Sequence, residues 1–200
     1  MGIQTVQSYH KPVQTFPNRG DYRAYGFMIK INNVDCFNNG EDYRCAIGSQ
    51  VCAVLDGEIV LSAELSGFGS LNPSTTGGCV IVKHRCVRSE LKNILAPTVG
   101  VFFAIYGHLN RKVSIGAKIR KGQVLGTIRP FTNGGVSCPH LNFGINTGST
   151  HPTSHLGYSQ TLSGFQNPKQ YLDNNAMMIG MHSGGYWAPS FSIGLPASIC

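Results

Sequence analysis

Cys138-Pro139-His140-Leu141-Asn142-Phe143 opens a stretch that reads as a β-strand over residues 140–145. Period-2 alternation puts His140 and Asn142 on the same face of that strand. Working outward, strands are expected over 25–32, 51–54, 58–63, 79–84 and 101–106. The 79–84 segment carries β-branched Val80, Ile81 and Val82. Asp56-Gly57 signals a hairpin turn between the strands over 51–54 and 58–63. Residues 33–48, rich in Asn, Asp and Gly, read as a long loop, as do 67–78 and 148–164. Residues 113–128 place turns at Gly116, Gly122 and Gly126 between apolar positions. Residues 85–100 read as an insertion in which Ser89 caps a short helix ending at Leu95, before Pro97. Residues 167–172 read as one helical turn. The sum is a mainly β, single-domain antiparallel sheet with short helical pieces.

Composition agrees. The chain has 200 residues with 42% apolar content, 12% charged content and 25 glycines. With a mean hydropathy of −0.04, it is long and apolar enough to bury a core. Wholesale disorder, which needs low hydrophobicity with high charge, is excluded. The longest apolar run, over 99–106, falls short of the ~18–20 residues that span a bilayer. The N-terminal MGIQTVQSYHKP shows no basic segment followed by an apolar one, so no signal peptide is visible. Lys and Arg total 16 against 9 Asp and Glu, a net +7 that suits an anionic polymer such as peptidoglycan, teichoic acid, nucleic acid or acidic lipid. The densest cations are Arg111, Lys112, Lys118, Arg120 and Lys121. They read as a solvated hairpin face rather than a nucleic-acid patch, and no nucleic-acid partner is expected.

Seven cysteines (Cys36, Cys45, Cys52, Cys79, Cys86, Cys138 and Cys200) allow up to three disulfides in an oxidising compartment. They fit equally well as small buried hydrophobes. No CxxC pair occurs, which argues against a structural zinc ribbon.

Four ordered segments carry a family likeness. They are Phe37-Asn38-Asn39-Gly40-Glu41-Asp42, then Gly48-Ser49-Gln50-Val51-Cys52-Ala53 followed by Asp56-Gly57. The third runs from Val80-Ile81-Val82-Lys83-His84 through Tyr106-Gly107-His108-Leu109 to Gly122-Gln123-Val124-Leu125-Gly126. The fourth is Cys138-Pro139-His140-Leu141-Asn142-Phe143, closed by Asn167-Pro168 and Tyr171-Leu172. Over roughly residues 17–173 the chain resembles the M23 peptidases, the LytM/lysostaphin-like zinc enzymes that cut peptidoglycan. The resemblance implies a duplicated hybrid-motif sheet with an open groove. It also implies a periplasmic, cell-wall or extracellular location in bacteria. A domain over 24–173 follows, between an arm over 1–23 and a tail over 174–200.

The resemblance further implies a zinc held by an HxxxD pair and the second His of an HxH motif, with two more histidines acting in catalysis. Carried over by position, the zinc ligands fall on Asn38, Asp42 and Asn142, and the catalytic histidines on His108 and His140. Both His ligand positions are therefore Asn. A neutral amide oxygen is a poor zinc donor beside an imidazole nitrogen, so zinc is expected to bind weakly or not at all. One carboxylate and two amides suit a hard cation or water better. The change is compatible with decay, with a switch to binding, or with deliberate inactivation.

Two functions follow from the resemblance. One is a non-catalytic domain that binds peptidoglycan peptide or an envelope protein. The other is a zinc endopeptidase whose ligand histidines were replaced or are substituted by other side chains, Cys138 and Cys36 being the nearest. A carrier role, suggested by hybrid-motif turns over 113–128, lacks the flanking pattern around Lys121-Gly122. His84 reads as structural. The pair His151 and His155 has metal-ligand spacing, but Pro152 and Gly157 argue against the helix it needs. Tyr186, Trp187 and Phe191 read as tail packing ahead of a ligand-stacking surface.

Overall fold

The computed structural model describes residues 9–66, 68–69, 75–87, 99–133, 135–152 and 156–174. The expected helix over 89–95, the aromatic residues of the tail, Cys200 and His155 lie outside them. In chain order the strands are β1 (Met28–Ile31), β2 (Val34–Asn38), β3 (Gly40–Arg44), β4 (Gln50–Cys52), β5 (Gly57–Ser66), β6 (Thr76–Val87) and β7 (Val99–Arg111). They continue as β8 (Lys118–Ile119), β9 (Val124–Ile128), β10 (Thr132–Asn133), β11 (Val136–Ser137), β12 (His140–Asn146), β13 (Tyr158–Ser159) and β14 (Phe165–Gln166). One helix, α1 (Pro168–Asn174), follows.

Among the described residues the main sheet has nine strands. Six run in the order β14-β12-β7-β6-β5-β8, with β3 added on β12 and β9 on β7 and β4. All the pairings are antiparallel. A smaller sheet, β1-β2-β13, stands beside it.

Alternation along the long strands gives the sheet two faces. Phe102, Ala104 and Tyr106 of β7, Val80 and Val82 of β6, and Leu141, Phe143 and Ile145 of β12 build the main core. Phe103 and Ile105, with Cys79 and Ile81, build a second cluster with Phe68 and Phe165 on the other side. His140 and Asn142 alternate with the core residues of β12, so they point to the side opposite the main core. His84 shares the parity of Val80 and Val82 and is fully buried. Its ring lies 4.9 Å from that of Phe102, and its Nδ1–H donates to the Asp56 carbonyl at 2.9 Å.

The lead-in segment joins the main core. Tyr9, Val13 and Phe16 are buried, Phe16 against Tyr43 with ring centroids 5.0 Å apart. The Tyr9 hydroxyl donates to Asp173 Oδ1 of α1 at 2.8 Å, tying both ends of the described domain together.

Two expectations are corrected. Residues 33–48 are not a loop but carry β2 and β3. Their polar composition reflects a face turned to the site, and partner strands supply the hydrogen bonds that propensity does not favour. Asp56-Gly57 is not a hairpin turn either: β4 pairs with β9, while β5 pairs with β6 and β8. Asp56 instead accepts the Lys121 backbone N–H on Oδ1 at 2.6 Å. Gly57 is glycine because a Cβ there would stand 2.6 Å from the Lys83 carbonyl oxygen.

Candidate functional site

Strand β12 lies between β3 and β7, and its register assembles the site. Asn142 stands opposite Asp42 on one side and Gly107 on the other. Asn38 ends β2, opposite Tyr158 of β13. Asn38, Asp42, Asn142, His108 and His140 are all buried polar residues. The last four line a cleft of about 370 Å³ together with Arg23 and Tyr158.

Three side chains form one hydrogen-bonded group. The Asn142 amide donates to Asp42 Oδ1 at 2.7 Å and to Asn38 Oδ1 at 3.2 Å. Asn38 Oδ1 also accepts the Gly40 backbone N–H at 3.2 Å. The Asn38 amide donates to the Arg23 carbonyl at 3.4 Å. Both N–H bonds of Asn142 are thus spent on the two oxygens that face it, while its own buried Oδ1 has no hydrogen-bond partner.

The two histidines pack beside this group, with ring centroids 4.4 Å apart and planes tilted by 56°. Phe131 wedges against both, at 4.4 Å from His108 and 4.8 Å from His140. His108 Nδ1–H donates to the Phe68 carbonyl and His140 Nδ1–H to the Cys138 carbonyl, each at 2.8 Å. A carbonyl only accepts, so these bonds place the proton on Nδ1 in the neutral rings and leave Nε2 as an acceptor. His140 Nε2 lies 3.9 Å from Asp42 Oδ2. Burial holds the His108 imidazole well below its ordinary pKa, and the neighbouring His140 and Arg129 add to the effect. Burial raises the Cys138 thiol, which keeps it protonated at neutral pH and a weak nucleophile.

His108 reaches the cleft through a distortion. Strict alternation would turn it into the main core behind Tyr106. Instead the β6–β7 register slips between Gly78 and Cys79, whose partners are Leu109 and Gly107. His108 is the residue left over, with φ of +65°. A bulge of this kind re-aims a side chain, and the left-handed backbone is strain stored at the site. Gly107 lets the ring of Phe68 close over it, since a Cβ there would meet Phe68 Cε1 at 2.2 Å.

The sequence profile of Peptidase family M23 matches residues 36–153. The chain belongs to peptidase family M23. A search of the curated proteins found no match. Among solved structures, the chain is similar to the catalytic domain of the antimicrobial peptidase lysostaphin from Staphylococcus simulans. That likeness has 23% identity, 76% of this chain, 93% of that one and a TM-score of 0.49. It is also similar to a longer lysostaphin structure, at 24% identity over 78% of this chain and 52% of that one, with a TM-score of 0.48. Helicobacter pylori Csd3 is matched at 20% identity, over 82% of this chain and 34% of that one, with a TM-score of 0.47.

M23 enzymes are zinc-dependent in general, and the donor set here does not fit zinc. The three positions offer one carboxylate and two amides, and the Asn142 N–H bonds already occupy the facing oxygens. Tetrahedral zinc takes imidazole, thiolate and carboxylate donors. Among the described residues, no group of three or more His, Cys, Asp or Glu side chains is placed to hold a metal ion. His151 is described, with its ring centroid 6.1 Å from that of Phe103.

Sequence reasoning missed Arg23, Tyr158, Tyr22, Phe68 and Phe131. Tyr22 sits with its ring centroid 5.4 Å from that of His140. All five come from connecting segments or short strands, where no periodicity marks them.

Proposed function

We propose that this chain is a non-catalytic M23-fold protein that binds a peptide of the bacterial envelope, a peptidoglycan peptide or a segment of an envelope protein, in the cleft. The observation that carries the reading is the Asn142 amide bonded to both Asp42 and Asn38. It turns a metal-ligand geometry into a closed hydrogen-bonded group. The cleft keeps its shape, its aromatic walls and two imidazole acceptors, which are means of holding a peptide. The proposal places the protein in the periplasm, the cell wall or outside the cell. Among the described residues no helix is long and apolar enough to cross a membrane.

The test measures zinc per chain after dialysis, zinc affinity by chelator competition, and co-sedimentation with purified peptidoglycan. The expected result is zinc binding weaker than micromolar, retention on peptidoglycan and no release of soluble fragments. One tightly held zinc per chain, with lysis that a chelator abolishes, would overturn the reading in favour of an endopeptidase. The persistence of His108 beside His140 favours that second reading for a chain with His at both positions. A double variant, Asn38→His with Asn142→His, that gains zinc and lyses cell walls would support it.

A further inference from the structure

We propose that Arg23 is a carboxylate-binding residue that fixes how a peptide lies in the cleft. This deepens the binding reading above and rests on it. Arg23 precedes β1 at the lip of the cleft and is half-buried. Its guanidinium carbon lies 5.6 Å from the centre of the Phe27 ring and 5.7 Å from that of Tyr158. Its Nη1 donates to the Tyr158 hydroxyl at 2.7 Å. These contacts fix the side chain without neutralising its charge.

Three other arginines of the described surface have acidic partners, while the exposed Arg44 and Arg120, like Arg23, are in no ion pair. Arg19 pairs with Glu41, and Arg111 and Arg129 share Glu64. Arg23 pairs with no carboxylate among the described residues, and it is the one Lys or Arg among the residues lining the cleft. A guanidinium carries five N–H donors in a fixed fork that matches a carboxylate. One is used here, which leaves the fork open to a ligand. Holding a half-buried cation without a counter-ion is unfavourable, and a bidentate carboxylate relieves that cost.

The rest of the cleft has the opposite character. Asp42 and the two imidazoles present acceptors, suited to N–H donors of a peptide backbone or an amine. The two kinds of wall give the cleft a polarity, with the carboxylate of the ligand at Arg23 and its donor groups toward the histidines. The Arg23 main chain is held independently: its carbonyl accepts the Asp42 N–H at 2.9 Å. Changing the side chain therefore leaves the strand junction in place.

The test is a calorimetric or NMR titration of the protein with soluble muropeptides and with the same pool after its carboxylates are capped as methylamides. Wild type should bind the capped pool about 10–100-fold more weakly, the range of a charge-assisted hydrogen-bonded contact. Arg23→Gln should lose as much against the native pool and no longer distinguish the two pools. Arg23→Lys, which keeps the charge and loses the fork, should fall between. Circular dichroism checks that each variant is folded. Stem peptides amidated only at the C-terminus or only at the side chain then identify which carboxylate Arg23 holds. Wild type that binds both pools equally, or Arg23→Gln that still distinguishes them, would overturn the carboxylate assignment and leave the binding reading standing. Wild type that binds neither pool would overturn the carboxylate assignment together with the peptidoglycan-peptide form of the binding reading.

Discussion

Acid should weaken this fold through His84, and the size of the effect follows from its surroundings. His84 is fully buried, its Nδ1–H is tied to the Asp56 carbonyl, and its Nε2 has no partner. Burial lowers its pKa from the ordinary 6.5 to about 4, opposed only by the Asp56 bond. The folded state therefore refuses a proton that the unfolded chain accepts below pH 6.5. Stability is intact above that value, declines as pH falls from 6.5, and is lost in full by about pH 4. The complete interval is worth about 3 kcal/mol, and most of it is lost between pH 7.5 and pH 4.5. His108, held neutral by burial in the same way, adds in the same direction. The assay is urea unfolding by far-ultraviolet circular dichroism at both pH values, on wild type and His84→Phe. The variant loses the bond to Asp56, about 1 kcal/mol at neutral pH, but no longer titrates there. Its loss on acidification should be roughly 2–3 kcal/mol smaller than that of wild type. Equal losses in the two proteins would refute the assignment of His84 as a buried neutral group.

Three further outcomes are expected. Asn142→Leu removes the hydrogen bond that Asp42 Oδ1 receives and should destabilise the protein by about 3 kcal/mol, with part recovered in the double variant that also carries Asp42→Leu; urea unfolding checks both. Gly107→Ala drives a Cβ into the Phe68 ring and should cost about 1–3 kcal/mol. It should also shift the His108 imidazole signals in NMR, because Phe68 supplies the acceptor for its Nδ1–H. Phe16→Ala opens a cavity among Tyr9, Tyr43 and Phe143 and should cost about 3–5 kcal/mol, whereas a merely appended arm would tolerate it in a thermal melt.

How far the fold was legible depends on which side of the sheet a residue faces. Strands β6, β7 and β12 have apolar residues on alternate positions because one side of each lies on the main core. Their presence was plain from the sequence, although β6 and β7 run longer than expected. Strands β2 and β3 read as loop in the sequence because the buried polar residues Asn38 and Asp42, with Asn39 between the strands, break the apolar pattern. The Asp56-Gly57 signal is sound local chemistry, but tertiary pairing overrode it: β9, remote in sequence, is the partner of β4. The grouping of Asn38, Asp42, His108, His140 and Asn142 was reachable through motif order, and the structure brings the five side chains together. The orientation of His108 was not, because it depends on a register slip that leaves no mark in composition. Arg23 and Tyr158 have no motif at all and come together only when β13 pairs with β2.

Asn at positions 38 and 142, where the resemblance implies His, is compatible with the architecture, and the register explains why. Asn142 and Asp42 face each other inside a ladder that pairs His140 through Gly144 with Arg44 through Gly40. That ladder rests on main-chain bonds and on Leu141, Tyr43 and Phe143 in the core behind it. A structural zinc supplies on the order of 10–16 kcal/mol to small domains that fold around it. A sheet with this much core behind it does not depend on such a contribution. Within the polar group the two Asn142 N–H donors are matched to two oxygens, and only its buried Oδ1 is left without a partner. What faces the cleft is a wall of acceptors with Arg23 at its lip, and the proposed peptide binding rests on that wall.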